Sequence, residues 1–142
     1  MSTAHHDQLR EAAAGQYPRM AATELLIRAV GGRFASPGKP WVILDRMFGK
    51  HWIDFKQIPE NLGGLSGGER RLLMLAASIA DVGVEVSIGD MLPGMDRDVL
   101  ELVLAAVAHA GGGASHPKVI ENADGTVSLK MLPSPFPWPE QE

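Results

Sequence analysis

Cysteine is absent from this 142-residue chain. A disulfide framework, a thiolate metal site and a cysteine nucleophile are thereby excluded. The absence suits a reducing compartment, and a cytoplasmic location is expected. Long apolar runs are lacking too. The two longest, 72–80 and 102–108, are too short to span a bilayer. The opening Met1-Ser2-Thr3-Ala4-His5 has no basic region followed by an apolar core, so no secretory signal is expected. Basic charge is scarce as well. Thirteen Lys and Arg stand against seventeen Asp and Glu, a net charge of −4, and only Arg70 and Arg71 are adjacent. A duplex-binding protein concentrates cations on one face to replace counterions. Nucleic acid is therefore disfavoured as a partner.

The remaining composition describes a globular chain. Its length fits one domain with one core, burying roughly two-thirds of the unfolded surface. The pattern divides it into an N-terminal arm at 1–17, a globular domain at 18–132 and a Pro/aromatic tail at 133–142. Thr3 can cap a short helix through Ala14, but few large apolar residues anchor it. Pro18 suits a first helical turn, and Ala22, Leu25, Leu26 and Ala29 mark one face of a helix that Gly31-Gly32 ends. Residues 33–64 are ambiguous: Trp41–Phe48 fits a short helix or a strand.

The second half is more regular. The stretch 67–80 is apolar nearly all round after its first turn, which predicts a central helix. Val84, Val86 and Ile88 alternate with Glu85 and Ser87, which predicts a short strand. Asp96 is placed to cap a helix over 97–110 that Gly111-Gly112-Gly113 stops. Asp124-Gly125 then predicts a two-residue hairpin turn between 119–123 and 126–132. In that register Ile120 faces Leu129, and residues 84–88 join the hairpin in one small antiparallel sheet.

Leu65-Ser66-Gly67-Gly68-Glu69-Arg70 resembles the signature motif of ABC-transporter ATPases. That resemblance implies phosphate held at a helix N-terminus by free N–H groups. It also requires a phosphate-wrapping G-x-x-x-x-G-K-[ST] loop. The nearest string, Pro37-Gly38-Lys39-Pro40, has Arg33 in place of the first glycine and proline in place of the hydroxyl. Nor does an apolar strand ending in Asp-Glu follow the motif. The same letters spell a capping box, Ser66 with Glu69 three residues on, and that is the reading adopted.

The order helix, strand, short turn, long helix and hairpin resembles a winged helix-turn-helix. By that resemblance the helix at 97–110 occupies the recognition position and the hairpin at 119–132 is the wing. Asp96, Asp98 and Glu101 around Arg97, and Asp124 at the wing tip, depart from a DNA reader's chemistry. The overall spacing is also similar to small proteins of high-GC bacteria, a resemblance that implies no activity.

Other candidate sites are weaker. His5-His6-Asp7 offers neighbouring imidazoles to a metal only incidentally. Asp45, His51 and Asp54 form a His-carboxylate cluster without a nucleophile nearby. Asp90, Asp96 and Asp98 lack the spacing of a calcium loop. The tail alternates proline with Phe136 and Trp138, favouring an extended conformation that docks in a partner's groove or folds back on the domain. The reading is a helix-rich α+β fold, with a helical N-terminal half and a winged-helix-like second half carrying a small antiparallel sheet. The expected function is a non-catalytic protein-interaction or regulatory module with no metal or cofactor. Phe136, Trp138 and Arg97 are its candidate partner contacts, and a winged-helix DNA-binding regulator is the alternative.

Overall fold

A computed structural model describes residues 3–140. Residues 1–2 and 141–142, the outer ends of the expected arm and tail, lie outside the described residues. The fold is helix-rich α+β, with five α-helices and two separate two-stranded antiparallel sheets among the described residues.

Helix α2 (Tyr17–Arg28) is the hub. Pro18 sits in its first turn, where a missing N–H costs nothing. The sequence marks one apolar face, yet Ala21, Ala22, Leu25, Leu26 and Ile27 are all buried because α2 packs against three helices. One neighbour is α1 (Thr3–Ala13), anchored by buried Leu9 and Ala13. His5 of α1 is also buried, and its Nε2 donates to the Ala35 carbonyl at 2.8 Å. From His5 onward α1 is therefore part of the packed body.

After α2 the chain reverses through Val30, Gly31 and Gly32, which all adopt positive φ. For Val30, at φ 48°, this is strained backbone, since a β-branched side chain crowds the left-handed region. The reversal drops Phe34 and Ala35 into the core, where the Phe34 carbonyl accepts a hydrogen bond from Trp41 Nε1 at 2.7 Å. The ambiguous middle is a hairpin: β1 (Val42–Asp45) pairs with β2 (Lys50–Ile53), Val42 facing Ile53. Its alternation is hidden in the sequence because Leu44 and Trp52 point outward.

Helix α3 (Gly67–Ile79) is central as expected, with Leu72, Leu73, Leu75, Ala76 and Ala77 buried. It is followed by α4 (Ile88–Met91) and α5 (Arg97–Gly112). Small residues on both helices, Ala21 and Ala22 on α2 and Ala105 and Ala106 on α5, let α2 and α5 approach closely. The expected strand at 84–88 does not form. Residues 84–87 are neither helical nor paired in a sheet, and Ile88 opens α4. The alternation is real, since Val84 and Val86 rest half-buried on the core while Glu85 faces solvent. Packing against the core produces the same period as a sheet face. Asp96 stands at the N-cap of α5, but its side chain makes no cap hydrogen bond.

The chain ends in β3 (Ser115–Glu121) and β4 (Val127–Pro133), an antiparallel pair. The hairpin forms, but its register is displaced by one residue from that expected. Val119 faces Leu129 and Ile120 faces Ser128. The turn is longer than the dipeptide signals. Gly125 N–H donates to Asn122 O at 3.0 Å and Asn122 N–H donates to Thr126 O at 2.8 Å, so 123–125 form a three-residue loop. Gly125 takes the left-handed position at φ 84°.

Candidate functional site

The hairpin β3–β4 stands apart from the core: no residue between 111 and 137 belongs to the buried cluster. Its root is fixed by close packing. A Cβ at Gly112 would lie 2.6 Å from the His116 ring, and one at Gly113 would lie 2.9 Å from Tyr17. Beyond the root the two faces differ in chemistry. One carries Val119, Val127, Leu129 and Met131, which are 57–65% exposed. The other carries Lys118 directly opposite Lys130. Like charges at facing positions repel, and neither lysine has an ion-pair partner among the described residues. At the tip, Asp124 Oδ1 accepts from Thr126 Oγ1 at 2.6 Å and from Thr126 N–H at 2.9 Å. These bonds hold the Asp124 carboxyl below the usual aspartate range.

The edges of the hairpin also differ. Asn122 with Thr126 at one end and Ala114 with Ser134 at the other are hydrogen-bonded pairs. Such pairs alternate along an antiparallel ladder, so Val127, Leu129 and Met131 turn their N–H and C=O groups outward. The outer edge of β3 is interrupted by Pro117, which has no N–H. In β4 the proline falls at the last residue, Pro133, so β4 presents the longer uninterrupted edge.

The tail folds back. Ser134 is buried, and its N–H donates to Ala114 O at 3.1 Å. Trp138 lies half-buried with its ring 5.1 Å from His109 and 5.2 Å from the Arg28 guanidinium. Arg28 Nη1 also donates to Pro139 O at 3.0 Å. Phe136 remains at the surface, 36% exposed. Together Tyr17, Met20, Glu24, His109 and Trp138 line a cavity of about 190 Å³. Burial pushes the Glu24 carboxyl up, but hydrogen bonds from Arg10 and Arg28 outweigh it and hold the group below the usual glutamate range. The polar wall is thus satisfied from within the protein. No local pattern in the sequence marks this cavity, since its lining comes from α1 through Arg10, from α2, from α5 and from the tail.

The other singled-out residues are scattered. Arg97 is exposed at the start of α5, 3.6 Å from Glu101. Asp45 and Asp54 lie at opposite ends of the β1–β2 hairpin, each accepting from a nearby backbone N–H, of Met47 and Lys56 respectively. His51 instead packs edge-on against His5 at 5.0 Å. No group of three or more metal-ligating side chains occurs among the described residues. Ser66 and Glu69 form the capping box in full. Ser66 Oγ accepts from Glu69 N–H at 3.1 Å, and Glu69 Oε1 accepts from Ser66 N–H at 2.9 Å. Arg33 binds the second carboxylate oxygen at 2.6 Å. Glu69 thus fills the helix terminus where the ATPase resemblance would put phosphate.

No protein-family model, no curated protein and no solved structure matches this chain.

Proposed function

We propose that the protein is a non-catalytic protein-interaction or regulatory module that docks through β3–β4. One observation carries this reading: a hairpin rooted at the end of α5 holds four large apolar side chains in water. An isolated two-stranded hairpin is marginal by itself, and contiguous exposed apolar surface marks interaction sites. The candidate contacts divide accordingly. Trp138 serves the protein's own surface through Arg28 and His109, whereas Phe136 and the hairpin face outward.

A photo-cross-linking amino acid at position 129, introduced in the native host, tests the reading. It is expected to form adducts with protein, while the same group at exposed Glu60 forms none. Failure at position 129 under conditions where the group is active removes the basis of the proposal.

The order α3, α4, α5, β3–β4 favours a winged-helix regulator as the second reading. Charge opposes it. Arg97 is engaged by Glu101, and a duplex reader needs several phosphate-neutralising cations around its recognition helix. Fluorescence anisotropy against genomic fragments at about 150 mM salt, where non-specific binding is weak, is expected to find no specific binding. Submicromolar binding to one fragment, lost on Arg97→Ala, would promote the regulator.

A further inference from the structure

The chain carries a second length of non-helical backbone without a strand partner, 84–87. Val82, Val84 and Val86 are half-buried while Gly83, Glu85 and Ser87 are exposed, the alternation of a strand lying on a core. Among the described residues, Val84, Glu85 and Val86 make no backbone–backbone hydrogen bond. The outward groups of Val127, Leu129 and Met131 likewise have no backbone partner outside the hairpin among the described residues. Within one chain these two edges remain apart, since β3–β4 forms a two-stranded sheet.

Their sequences are complementary when run antiparallel. Met131 falls opposite Val84, Lys130 opposite Glu85, Leu129 opposite Val86, Ser128 opposite Ser87 and Val127 opposite Ile88. Apolar residues meet apolar residues, hydroxyl meets hydroxyl, and the one cation meets the one anion. Glu85 and Lys130 are both exposed, and neither forms an ion pair among the described residues. A shift by two residues in either direction breaks the charge pair, setting Lys130 against Ser87 or Gly83. The phase is also correct. Val127, Leu129 and Met131 turn their backbone groups outward, and they fall opposite the apolar residues of the segment. Only the last pair disturbs existing structure, because Ile88 opens the single turn of α4.

We propose that β4 adds to residues 84–88 of a second copy of this chain, and reciprocally, so that a two-fold dimer closes two three-stranded antiparallel sheets. The proposal rests on reading β3–β4 as the docking element and names its occupant. A reciprocal exchange is isologous: each chain gives one edge and receives the other. Each hairpin gains the third strand that independent stability requires. Lys130 then has a carboxylate opposite, relieving its repulsion with Lys118.

Sedimentation velocity over a concentration series tests this with the full chain, Lys130→Glu, Glu85→Lys and an equimolar mixture of the two variants. Both side chains are exposed, so both variants should fold, which circular dichroism checks. The wild type is expected to dimerise with rising concentration. Each single reversal should weaken dimerisation about tenfold or more, because like charges then oppose at both sheets. The mixture should recover the wild-type constant, because each chain supplies what the other lacks. Pairing within one chain predicts no such recovery. A wild type that is monomeric throughout, a dimer indifferent to both reversals, or a mixture that fails to recover would each overturn the proposal. The docking reading fails separately, if position 129 forms no protein adduct.

Discussion

At the scale of single residues, Ser66 and Glu69, within the string that resembles an ATPase signature, form a capping box. Ser66 and Glu69 satisfy each other's backbone N–H groups, and Arg33 neutralises the remaining carboxylate oxygen. Ser66→Ala should cost about 1 kcal/mol in a thermal or denaturant melt. Mg-ATP should shift neither protein; a rise in midpoint confined to the wild type would restore the nucleotide reading. Glu24 makes a second prediction. Its folded-state pKa lies below the ordinary 4.5. Its contribution is therefore fully present above that value and is lost as pH falls through the lower folded value. Glu24→Gln should cost about 2 kcal/mol near neutral pH, since two guanidinium groups lose their shared negative charge and one of the two accepting oxygens becomes an NH2 donor. Its stability should also fall less steeply than the wild type's below pH 4.5. Parallel pH profiles for the two proteins would show that Glu24 does not carry this linkage. Ser66 was legible because a capping box is local in sequence. Glu24 was not, because Arg10 comes from another helix and no spacing rule joins them.

At the scale of elements, the sequence discloses periodicity but not what lies on the other side of it. Residues 84–88 alternate as a strand would, yet the alternation reflects seating of Val84 and Val86 on the core. The hairpin was legible from its turn residues, but its register was not. Asp124-Gly125 reads as a two-residue turn, whereas Gly125 occupies the left-handed position of a three-residue one. That single residue moves every cross-strand pair by one. Helix α3 was the most legible element, having both a local cap and an apolar surface all round. β1–β2 was the least, because Leu44, Met47, Phe48 and Trp52 break the rule that apolar residues turn inward. The hairpin's separation from the core yields a prediction of its own. Gly125→Ala forces a side chain into positive φ and should weaken the hairpin by about 1 kcal/mol. Local opening is separable from global unfolding. Amides between 115 and 133 should exchange faster while the global unfolding midpoint barely moves. A matching fall in the global midpoint would mean that the hairpin is integral to the core.

At the scale of the whole molecule, the helices bury their apolar residues around α2 while the two hairpins keep large apolar residues in water. Several polar points of the body are met from within: Arg10 and Arg28 both donate to Glu24, and Trp41 Nε1 bonds to Phe34 O, while His6 Nε2 and Arg19 Nε are buried without a hydrogen-bond partner among the described residues. On β3–β4 an exposed apolar face, an open strand edge and two facing lysines come together in one element. This contrast is the basis for assigning recognition to the hairpin and stability to the helices. The most direct measurement is the size distribution of the protein in its native host's extract, comparing wild type with the variant carrying Leu129→Lys and Met131→Lys. Both side chains are exposed, so the substitutions should leave folding intact. The wild type is expected to elute in species larger than the monomer, and the variant as the folded monomer alone. A folded variant that still elutes in the same larger species would contradict the account.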